Sequence, residues 1–232
     1  MTAAREGRGD LAGARRIIIT EDGPYEVSGG IPMSVQSMIP DEEGLSVDWR
    51  EGKQYPVENF YQLCRCGKSR YKPYCDYTHL EIPFDGAETA SREPFAAQAE
   101  EKTVGPKLEL TDVVALCAHA RFCDRAGGVW DLTRASDNPE ARQLAIEEVH
   151  NCSAGRLVIA DREGNVLEPE LEPSLGLVED LHMGVQGPIW VRGGIPVVAA
   201  DGYTYEVRNR VTLCRCGRSS NKPFCDGRHQ EP

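Results

Sequence analysis

The sequence predicts an α+β protein in which two small β-rich modules flank a segment of mixed helix and strand. A cysteine-containing stretch occurs twice, near the two ends of the chain, and each copy follows alternating residues that favour strands, such as residues 205–213. Between the copies, residues 112–120 and 138–149 have helical patterns, and Pro139 suits the first turn of a helix. Residues 157–160 are all apolar and predict a strand.

The repeat aligns without a gap over residues 64–79 (CRCGKSRYKPYCDYTH) and 214–229 (CRCGRSSNKPFCDGRH). Upstream, GPYEVSGGIP from Gly23 corresponds to GPIWVRGGIP from Gly187. The first copy has extra residues between these blocks, around residues 37–54, where a Pro-Asp-Glu-Glu-Gly run predicts a surface loop. Two homologous modules therefore flank a middle segment.

The predicted organisation has four parts: a first module over residues 17–80, a linker rich in Ala, Glu and Pro over 81–106, a middle segment over 107–165, and a second module over 166–232. Each module has only about 60 residues, near the lower limit for an independent core. We therefore expect a monomer whose modules share a β-core across a pseudo-twofold axis. In that arrangement, the strand that begins at Gly23 pairs with the second module, and the strand that begins at Gly187 pairs with the first.

The charge balance excludes some classes of function. With 37 acidic and 26 basic side chains, the formal charge of −11 argues against a nucleic-acid groove, which needs clustered Lys and Arg. No apolar run approaches the roughly 20 residues of a membrane-spanning helix, and the basic start of the chain lacks the apolar core of a secretion signal. We therefore expect a soluble, cytoplasmic protein. Four arginines leave an organelle-targeting alternative: Arg5, Arg8, Arg15 and Arg16.

The nine cysteines occur as three groups of three, and an odd number fits a complete disulfide framework poorly. In each outer group, the pattern Cys-x-Cys, eight residues, Cys, three residues, His supplies three thiolates and one imidazole. That set can hold zinc or an iron–sulfur cluster. Structural zinc sites usually place two to four residues between paired cysteines, so the Cys-x-Cys spacing favours the cluster. A zinc clip without redox function is the alternative.

These residues resemble the CDGSH iron–sulfur family, whose pattern is Cys-x-Cys-x2-Ser/Thr-x3-Pro-x-Cys-Asp-Gly-Ser/Ala/Thr-His. The second copy departs from the pattern only at Arg228 and matches it at Cys214, Cys216, Ser219, Pro223, Cys225, Asp226, Gly227 and His229. The first copy has Tyr77 in place of glycine and matches at Cys64, Cys66, Ser69, Pro73, Cys75, Asp76, Thr78 and His79. If that glycine has a positive φ angle, Tyr77 is strained.

The resemblance implies two 2Fe–2S clusters, one held by Cys64, Cys66, Cys75 and His79 and the other by Cys214, Cys216, Cys225 and His229. The CDGSH family typically forms homodimers with one cluster per chain, so this tandem chain is similar to that dimer within one polypeptide. An imidazole in place of one thiolate raises the reduction potential and makes one ligand protonatable. Four basic residues are interpreted as charge partners of the anionic sites: Arg65, Lys72, Arg215 and Lys222.

The middle group resembles the small single-cluster ferredoxins, which have Cys-x5-Cys and then a distant cysteine usually followed by proline. Here the cysteines are Cys117, Cys123 and Cys152, and Ser153 replaces the proline. The resemblance implies a ferredoxin-like segment with a 3Fe–4S cluster, or a 4Fe–4S cluster whose fourth iron takes another ligand. The candidates for that ligand are His119 and, more weakly, His150. Three buried, inert thiols are the alternative.

The sequence therefore predicts an iron–sulfur protein that acts in electron transfer or cluster transfer, with a redox partner protein or an apo-acceptor of clusters as its partner. A redox or iron sensor that acts by binding partners is the alternative, and a subunit of a larger oxidoreductase is a third. We expect no stand-alone enzyme, because no Walker motif, nucleophile elbow or dinucleotide loop is present. The Gly29-Gly30 and Gly193-Gly194 pairs predict turns, and His182 is expected to be an ordinary surface or core histidine.

Overall fold

The computed structural model describes residues 14–231 and consists mostly of sheet with few helices. Of the basic N-terminal segment, Arg5 and Arg8 lie outside the described residues. The strands are β1 (Arg16–Ile19), β2 (Tyr25–Ser28), β3 (Met33–Pro40), β4 (Ser46–Tyr55), β5 (Phe60–Leu63), β6 (Glu101–Val104), β7 (Leu108–Asp112), β8 (Leu157–Asp161), β9 (Ser174–Asp180), β10 (Val185–Arg192), β11 (Val197–Val198) and β12 (Arg210–Leu213). The α-helices are α1 (Phe95–Gln98), α2 (Val129–Arg134) and α3 (Pro139–Asn151). Short 3₁₀ turns cover Thr78–Leu80, Val114–Leu116, Phe122–Gly127 and Arg228–Gln230.

The two modules build two sheets that each contain strands from both copies of the repeat. One sheet has the order β11-β1-β2-β5, and the other has the order β12-β10-β9-β3-β4. Within each module the strands that precede the cysteine loop are antiparallel, β2 with β5 and β10 with β12. Alternating residues of these strands are apolar and buried, such as Tyr25 and Val27 in β2, so one face of each sheet lies on a core.

The modules exchange the strand that follows Gly-Gly-Ile-Pro. From the first module, β3 pairs in parallel with β9, with Met33 opposite Leu175. From the second, β11 pairs in parallel with β1, with Val197 opposite Ile17. The expectation that the strands at Gly23 and Gly187 cross between modules is wrong, because β2 and β10 stay with their own modules. The next strand crosses, after two successive glycines with positive φ angles at which a side chain would be strained.

The largest apolar cluster of the described chain contains residues of both modules. It includes Ile17, Val27 and Leu63 from the first module and residues from the second such as Leu177, Ile189 and Leu213. These side chains are at most 2% exposed, so the modules share one hydrophobic core.

Residues 37–54 form a hairpin, and the prediction of a surface loop is correct only for its tip. Strands β3 and β4 are antiparallel, and Asp41 holds the turn by accepting hydrogen bonds from the amides of Glu43 and Leu45, at 3.0 and 2.8 Å. The Pro-Asp-Glu-Glu-Gly run that suggested a loop lies at this turn, and the strand that follows it, β4, is a charged edge strand of its sheet. Charged side chains commonly protect such an edge from pairing with another chain, so they do not exclude a strand.

The middle segment has its own sheet, in the order β6-β7-β8, and α2 and α3 pack on it around a separate core. The predicted helix at 138–149 is confirmed by α3, where the side chain of Asn138 caps the amide of Glu140 at 2.8 Å. The predicted strand at 157–160 is confirmed by β8. The predicted helix at 112–120 is wrong, because His119 and Arg121 have left-handed φ angles of 54° and 59° that no α-helix can contain.

The predicted linker over residues 81–106 contains α1 and β6, and part of it lies along the second module. The amides of Thr89 and Ala90 both donate to the carbonyl of Lys222, at 2.8 and 2.9 Å. The carboxylate of Glu88 accepts a hydrogen bond from the Tyr205 hydroxyl at 2.9 Å. The chain that leaves the first module is therefore attached to the second before the middle segment begins.

The longest helix of the described chain, α3, has 13 residues. Within residues 14–231, no helix has the length and apolar character needed to cross a membrane.

The buried Tyr25 hydroxyl connects the first module to the second by donating to the carbonyls of Cys214 and Pro223, at 2.7 and 3.2 Å. We expect Tyr25→Phe to lower the free energy of unfolding by about 1–2 kcal/mol, because buried carbonyls lose their donor. Urea unfolding measures this difference. The control is Tyr71→Phe, whose side chain is exposed and which should change stability by less than about 0.5 kcal/mol. Equal effects of the two changes would contradict the cross-module bond.

Candidate iron–sulfur sites

The first candidate site lies in the loop that follows β5. The Cys64 amide donates to the Pro73 carbonyl at 2.8 Å, and the Cys75 amide donates to the Gln62 carbonyl at 3.0 Å. These bonds fold the loop back on its strand. They bring the thiols of Cys64 and Cys66 to 3.7 Å from each other and the Cys75 thiol to 3.5 Å from Nδ1 of His79.

The second candidate site has the same construction after β12. The Cys214 amide donates to Pro223 at 2.8 Å, and the Cys225 amide donates to Thr212 at 2.9 Å. The thiols of Cys214 and Cys216 are 3.7 Å apart. The Cys225 thiol is 3.4 Å from Nδ1 of His229. Both predicted ligand sets are therefore brought together by the fold.

The four donors of each site are arranged as two pairs. A metal–thiolate bond of about 2.3 Å places neighbouring tetrahedral ligands about 3.8 Å apart, close to the observed separations. Each pair therefore has the spacing of two ligands on one metal ion. Within residues 14–231, no three His, Cys, Asp or Glu side chains are grouped as around a single ion. Two separate pairs fit a binuclear iron–sulfur core, with two protein ligands per iron, better than one zinc ion. In each site the nitrogen that faces the thiol is Nδ1.

Serine and aspartate of the motif hold each loop in shape. In the first site, Ser69 Oγ donates to the Tyr74 carbonyl at 2.7 Å, and the Asp76 carboxylate accepts from Thr78 Oγ1 at 2.6 Å. In the second site, Ser219 Oγ makes the same bond to Phe224 at 2.7 Å. The hydrogen bonds that Asp76 accepts, first of all from the Thr78 side chain, lower the pKa of its carboxyl group. These residues therefore shape the loop and lie outside the two donor pairs.

The guanidinium groups between the paired cysteines donate to main-chain carbonyls, and their role as charge partners of the sites stays a prediction. Arg65 Nε donates to Gly23 O at 2.8 Å, and Arg215 Nε donates to Gly187 O at 2.5 Å. The second bonds go to Thr20 O at 3.1 Å and Val178 O at 2.6 Å. Arg65 therefore attaches its cysteine loop to the turn between β1 and β2, and Arg215 attaches its loop to β9 and β10.

The two outer sites touch at glycines of the Cys-Arg-Cys-Gly motif. A Cβ atom on Gly67 would lie 2.4 Å from the Cys216 carbonyl oxygen, and one on Gly217 would lie 2.6 Å from that of Cys66. Both glycines also have positive φ angles, 76° and 80°. Only glycine fits this close approach. This role of Gly67 and Gly217 was not predicted, although the glycine occurs at the same place in both copies.

A cleft of ≈ 600 Å³ opens beside this contact and is lined by residues of both sites. Its walls include Lys72 and Lys222, the two lysines that the sequence analysis interpreted as charge partners. The cleft therefore has basic walls in a chain whose formal charge is −11.

The middle triplet lines one pocket of ≈ 340 Å³, to which Cys117, Cys123 and Cys152 all contribute, together with His119. This arrangement fits a cluster with three or four irons and argues against three unrelated buried thiols. His150 is directed elsewhere, since its Nε2 is 3.1 Å from the Leu167 carbonyl.

Arg156 also lines the middle pocket, and its Nη1 donates to the Cys117 sulfur at 3.0 Å. This role of Arg156 was not predicted. Two further bonds attach Arg156 to the buried Asp112 carboxylate, at 2.6 and 2.7 Å. A guanidinium group held against a thiolate moderates the negative charge of a thiolate-rich site. The spacing between Arg156 and Cys117 in the sequence contains no signal for this contact.

The middle pocket adjoins the second site. A Cβ atom on Gly227 would lie 2.8 Å from Cγ of the His119 ring. Beside it, Cys225 of the second site packs with Ala118 and Ala154, and Cys152 packs against this cluster. The three candidate sites therefore follow one another in space, in the order middle, second, first.

This contact makes the two outer sites unequal. His229 is 7% exposed, whereas His79 is only half-buried. Burial, and then the nearby His119, lower the pKa of His229 to about 4, so its imidazole is neutral and able to bind metal. Burial raises the pKa of the Cys225 thiol to about 12. A thiolate there needs the positive charge of a bound metal, which ties deprotonation of Cys225 to metal loading.

Tyr77 has the left-handed conformation that the motif's glycine has in the second copy. Its φ and ψ angles are 64° and 11°, compared with 86° and −9° for Gly227. The predicted strain is therefore present, and it costs about 1–2 kcal/mol for a side chain of this type. The Tyr77 hydroxyl donates to Gln62 Oε1 at 2.9 Å, which supports the conformation.

Comparison with protein families assigns three segments of the chain. Residues 22–80 and 186–230 match the family described as iron-binding zinc finger, CDGSH type. Residues 103–162 match the family described as divergent 4Fe-4S mono-cluster. Searches of curated proteins and of solved structures find no match. The chain is therefore an iron–sulfur protein. Within that class, it combines two CDGSH-type segments with a divergent 4Fe–4S segment between them.

The contact between Gly227 and His119 predicts a large effect of Gly227→Ala. Gly164→Ala is the matched control, because the φ angle of Gly164 is 88°, close to the 86° of Gly227, and nothing lies near its Cβ position. We expect the control to cost about 1–2 kcal/mol of unfolding free energy from backbone strain alone. Gly227→Ala should cost about 1–3 kcal/mol more, because the new methyl group overlaps the His119 ring.

Adding His119→Ala to Gly227→Ala should remove most of that extra cost, because the overlapping ring is gone. Urea unfolding of the native protein, of Gly227→Ala and His119→Ala singly, and of the double variant measures the coupling. A Gly227→Ala effect equal to that of Gly164→Ala would show that the middle segment does not pack on the second site.

Proposed function

We propose that the protein transfers electrons through three iron–sulfur clusters arranged in series. The observation that supports this proposal is the spatial order of the donor groups, in which the middle pocket adjoins the second site and the second site touches the first. An electron carrier needs this continuity, whereas a set of structural metal clips does not. The chain would act as a carrier that exchanges electrons with a partner and not as a stand-alone enzyme.

The proposed ligands of the outer sites are three cysteines and one histidine each, for one 2Fe–2S cluster per site. They are Cys64, Cys66, Cys75 and His79 in the first site, and Cys214, Cys216, Cys225 and His229 in the second. The middle pocket would hold a 3Fe–4S or 4Fe–4S cluster on Cys117, Cys123 and Cys152, with His119 as a candidate fourth ligand. When bound, these groups supply one-electron chemistry at potentials that histidine ligation raises.

Around these positions, the residues of the chain hold the donors and limit the access of water. Arg156 places a positive charge against the Cys117 sulfur. Gly67 and Gly217 let the two outer loops touch, which shortens the distance that an electron must cross. The Cys225 thiol and the His229 imidazole are both largely buried, which limits the access of water to this pair of donors.

The fold supports the proposal of an intramolecular pseudo-dimer. The reciprocal pairing of β3 with β9 and of β11 with β1 has the form of a twofold interface, in which each half gives the other the same element. We propose that the chain is a monomer in solution, because this internal pairing already provides the partner that a single module would need. The α+β middle segment would be the ferredoxin-like part.

Cluster transfer is a second candidate function for the first site. Its Cys75 and His79 are only half-buried, unlike their counterparts in the second site. An acceptor protein could reach this edge, and protonation of the histidine would weaken its bond to iron. Loss of visible absorption on mixing with an apo-acceptor would favour transfer, whereas reversible reduction with the absorption retained favours electron transfer.

Counting iron and acid-labile sulfide in anaerobically purified protein tests the cofactor content. We expect about seven or eight irons per chain if all three sites are loaded, and about four if only the outer sites are. EPR before and after dithionite distinguishes the cluster types. Zinc with no visible absorption would refute the proposal, and Cys225→Ser should remove about one 2Fe–2S cluster and leave the other sites loaded.

Histidine ligation predicts a specific pH dependence of the reduction potential. In the native protein the potential should fall as pH rises through the imidazole pKa, because reduction favours protonation. In the double variant with His79→Cys and His229→Cys, the potentials should be lower and independent of pH, since thiolate replaces a titratable ligand. Redox titration at several pH values measures this. A pH dependence that survives in the double variant would contradict the ligand assignment.

A further inference from the structure

The first site has an exposed apolar face that is absent from the second site. Four large side chains within the first copy of the repeat are between 51% and 76% exposed: Phe60, Tyr71, Tyr77 and Leu80. We call them the first-site face. The ring of Tyr77 lies beside that of His79, with 6.0 Å between the ring centres. The face is therefore adjacent to the half-buried histidine of the site.

Strand β5 corresponds to β12, and the 3₁₀ turn at Thr78–Leu80 corresponds to that at Arg228–Gln230, so each of these residues has a counterpart in the second copy. Position by position, the counterparts are Arg210, Asn221, Gly227 and Gln230. None of the four is a large apolar residue. The same structural positions are therefore aromatic or aliphatic in one copy and polar or glycine in the other.

All four counterparts contact the middle segment. Arg210 Nη1 donates to the Cys152 carbonyl at 2.9 Å, and Asn221 Nδ2 donates to the Ala115 carbonyl at 2.9 Å. Gln230 Nε2 donates to the His119 carbonyl at 3.1 Å. Gly227 leaves the space that the His119 ring fills. These four positions of the second copy therefore form the surface on which the middle segment packs.

The first-site face is therefore equivalent to the surface that the middle segment covers on the second site. No segment of residues 14–231 covers these four side chains, as their exposure shows. Large exposed aromatic and aliphatic side chains that cluster on one face are typical of protein–protein contact sites, where Tyr, Phe and Leu supply buried apolar area. The middle segment, which covers the equivalent surface of the second site, matches a single-cluster 4Fe–4S family. A protein bound to the first-site face would contact the equivalent cysteine loop in the same orientation.

We propose that the first-site face is the docking surface for a separate small ferredoxin with a single 4Fe–4S cluster, which would sit on the first site as the middle segment sits on the second. This inference rests on the electron-transfer function proposed above. One electron would leave the reduced ferredoxin and enter the first site, with no bond made or broken. The second site would receive electrons only through its neighbours within the chain.

The test uses the full, cluster-loaded protein and a bacterial ferredoxin with one 4Fe–4S cluster. The face variant combines Tyr71→Asn with Leu80→Gln, which copies the residues of the second repeat. The control variant combines Val166→Asn with Val207→Gln, two side chains that are also about half exposed but lie outside the face. Calorimetry with oxidised ferredoxin measures Kd, and stopped-flow mixing with reduced ferredoxin measures the electron-transfer rate.

We expect the face variant to raise Kd and to lower the second-order rate constant by about tenfold each, because loss of two apolar anchors removes on the order of 1.4 kcal/mol. The control should stay within about twofold of the native protein. Reduction by dithionite, which needs no docking, should be equally fast in all three proteins.

Other outcomes separate the docking proposal from the proposed function. Absence of ferredoxin binding, or equal Kd values and rates in the face and control variants, would overturn docking at this face. Dimerisation of the native protein that the face variant abolishes, seen by sedimentation, would instead assign the face to a second copy of the chain. Face-dependent binding without reversible reduction of any cluster by dithionite would keep the docking surface and overturn electron transfer.

Discussion

The structure depends on the reciprocal pairing of the strands that follow Gly-Gly-Ile-Pro. Because β3 extends the sheet of the second module and β11 extends that of the first, neither module has a complete sheet of its own. The shared sheets enclose one core, and each Cys-x-Cys loop starts from a strand that packs on it. The shared sheets hold the two cysteine loops next to each other. This position allows the close contacts of Gly67 with Cys216 and of Gly217 with Cys66.

Sequence and structure agree where the information is local. The repeated spacing of cysteine and histidine predicted donor sets that the fold brings together, and the Gly-to-Tyr77 difference predicted a left-handed residue that is present. The sequence does not predict contacts between residues that are distant in the chain. The strand predicted from Gly23 is present as β2, but the sequence pattern contains nothing about which strand crosses between modules, because pairing is decided by the whole core. Similarly, residues 112–120 favour a helix locally, yet the chain turns at His119 to form the wall of a pocket.

The two outer sites show how one motif acquires two environments. Their internal hydrogen bonds and donor separations are nearly the same, so the difference between them comes from what covers each loop. The middle segment buries His229 and Cys225, and the pKa of each responds to that burial. Among residues 14–231, no segment buries His79 to the same extent. Exposure of a metal site to solvent is among the factors that set its reduction potential, so the two sites need not be equivalent electronically.

The covalent joining of the modules has a consequence for how the sites can change. In a homodimer every substitution enters both halves at once, and a residue that improves one surface is imposed on the other. Here Tyr77 and Gly227 stand at the same structural position, one exposed and one beneath the His119 ring. In a single chain with two copies, each copy can change in sequence independently. The shared core still holds the two copies in the same relative position. The exposed surroundings of one copy and the buried surroundings of the other depend on that loss of symmetry.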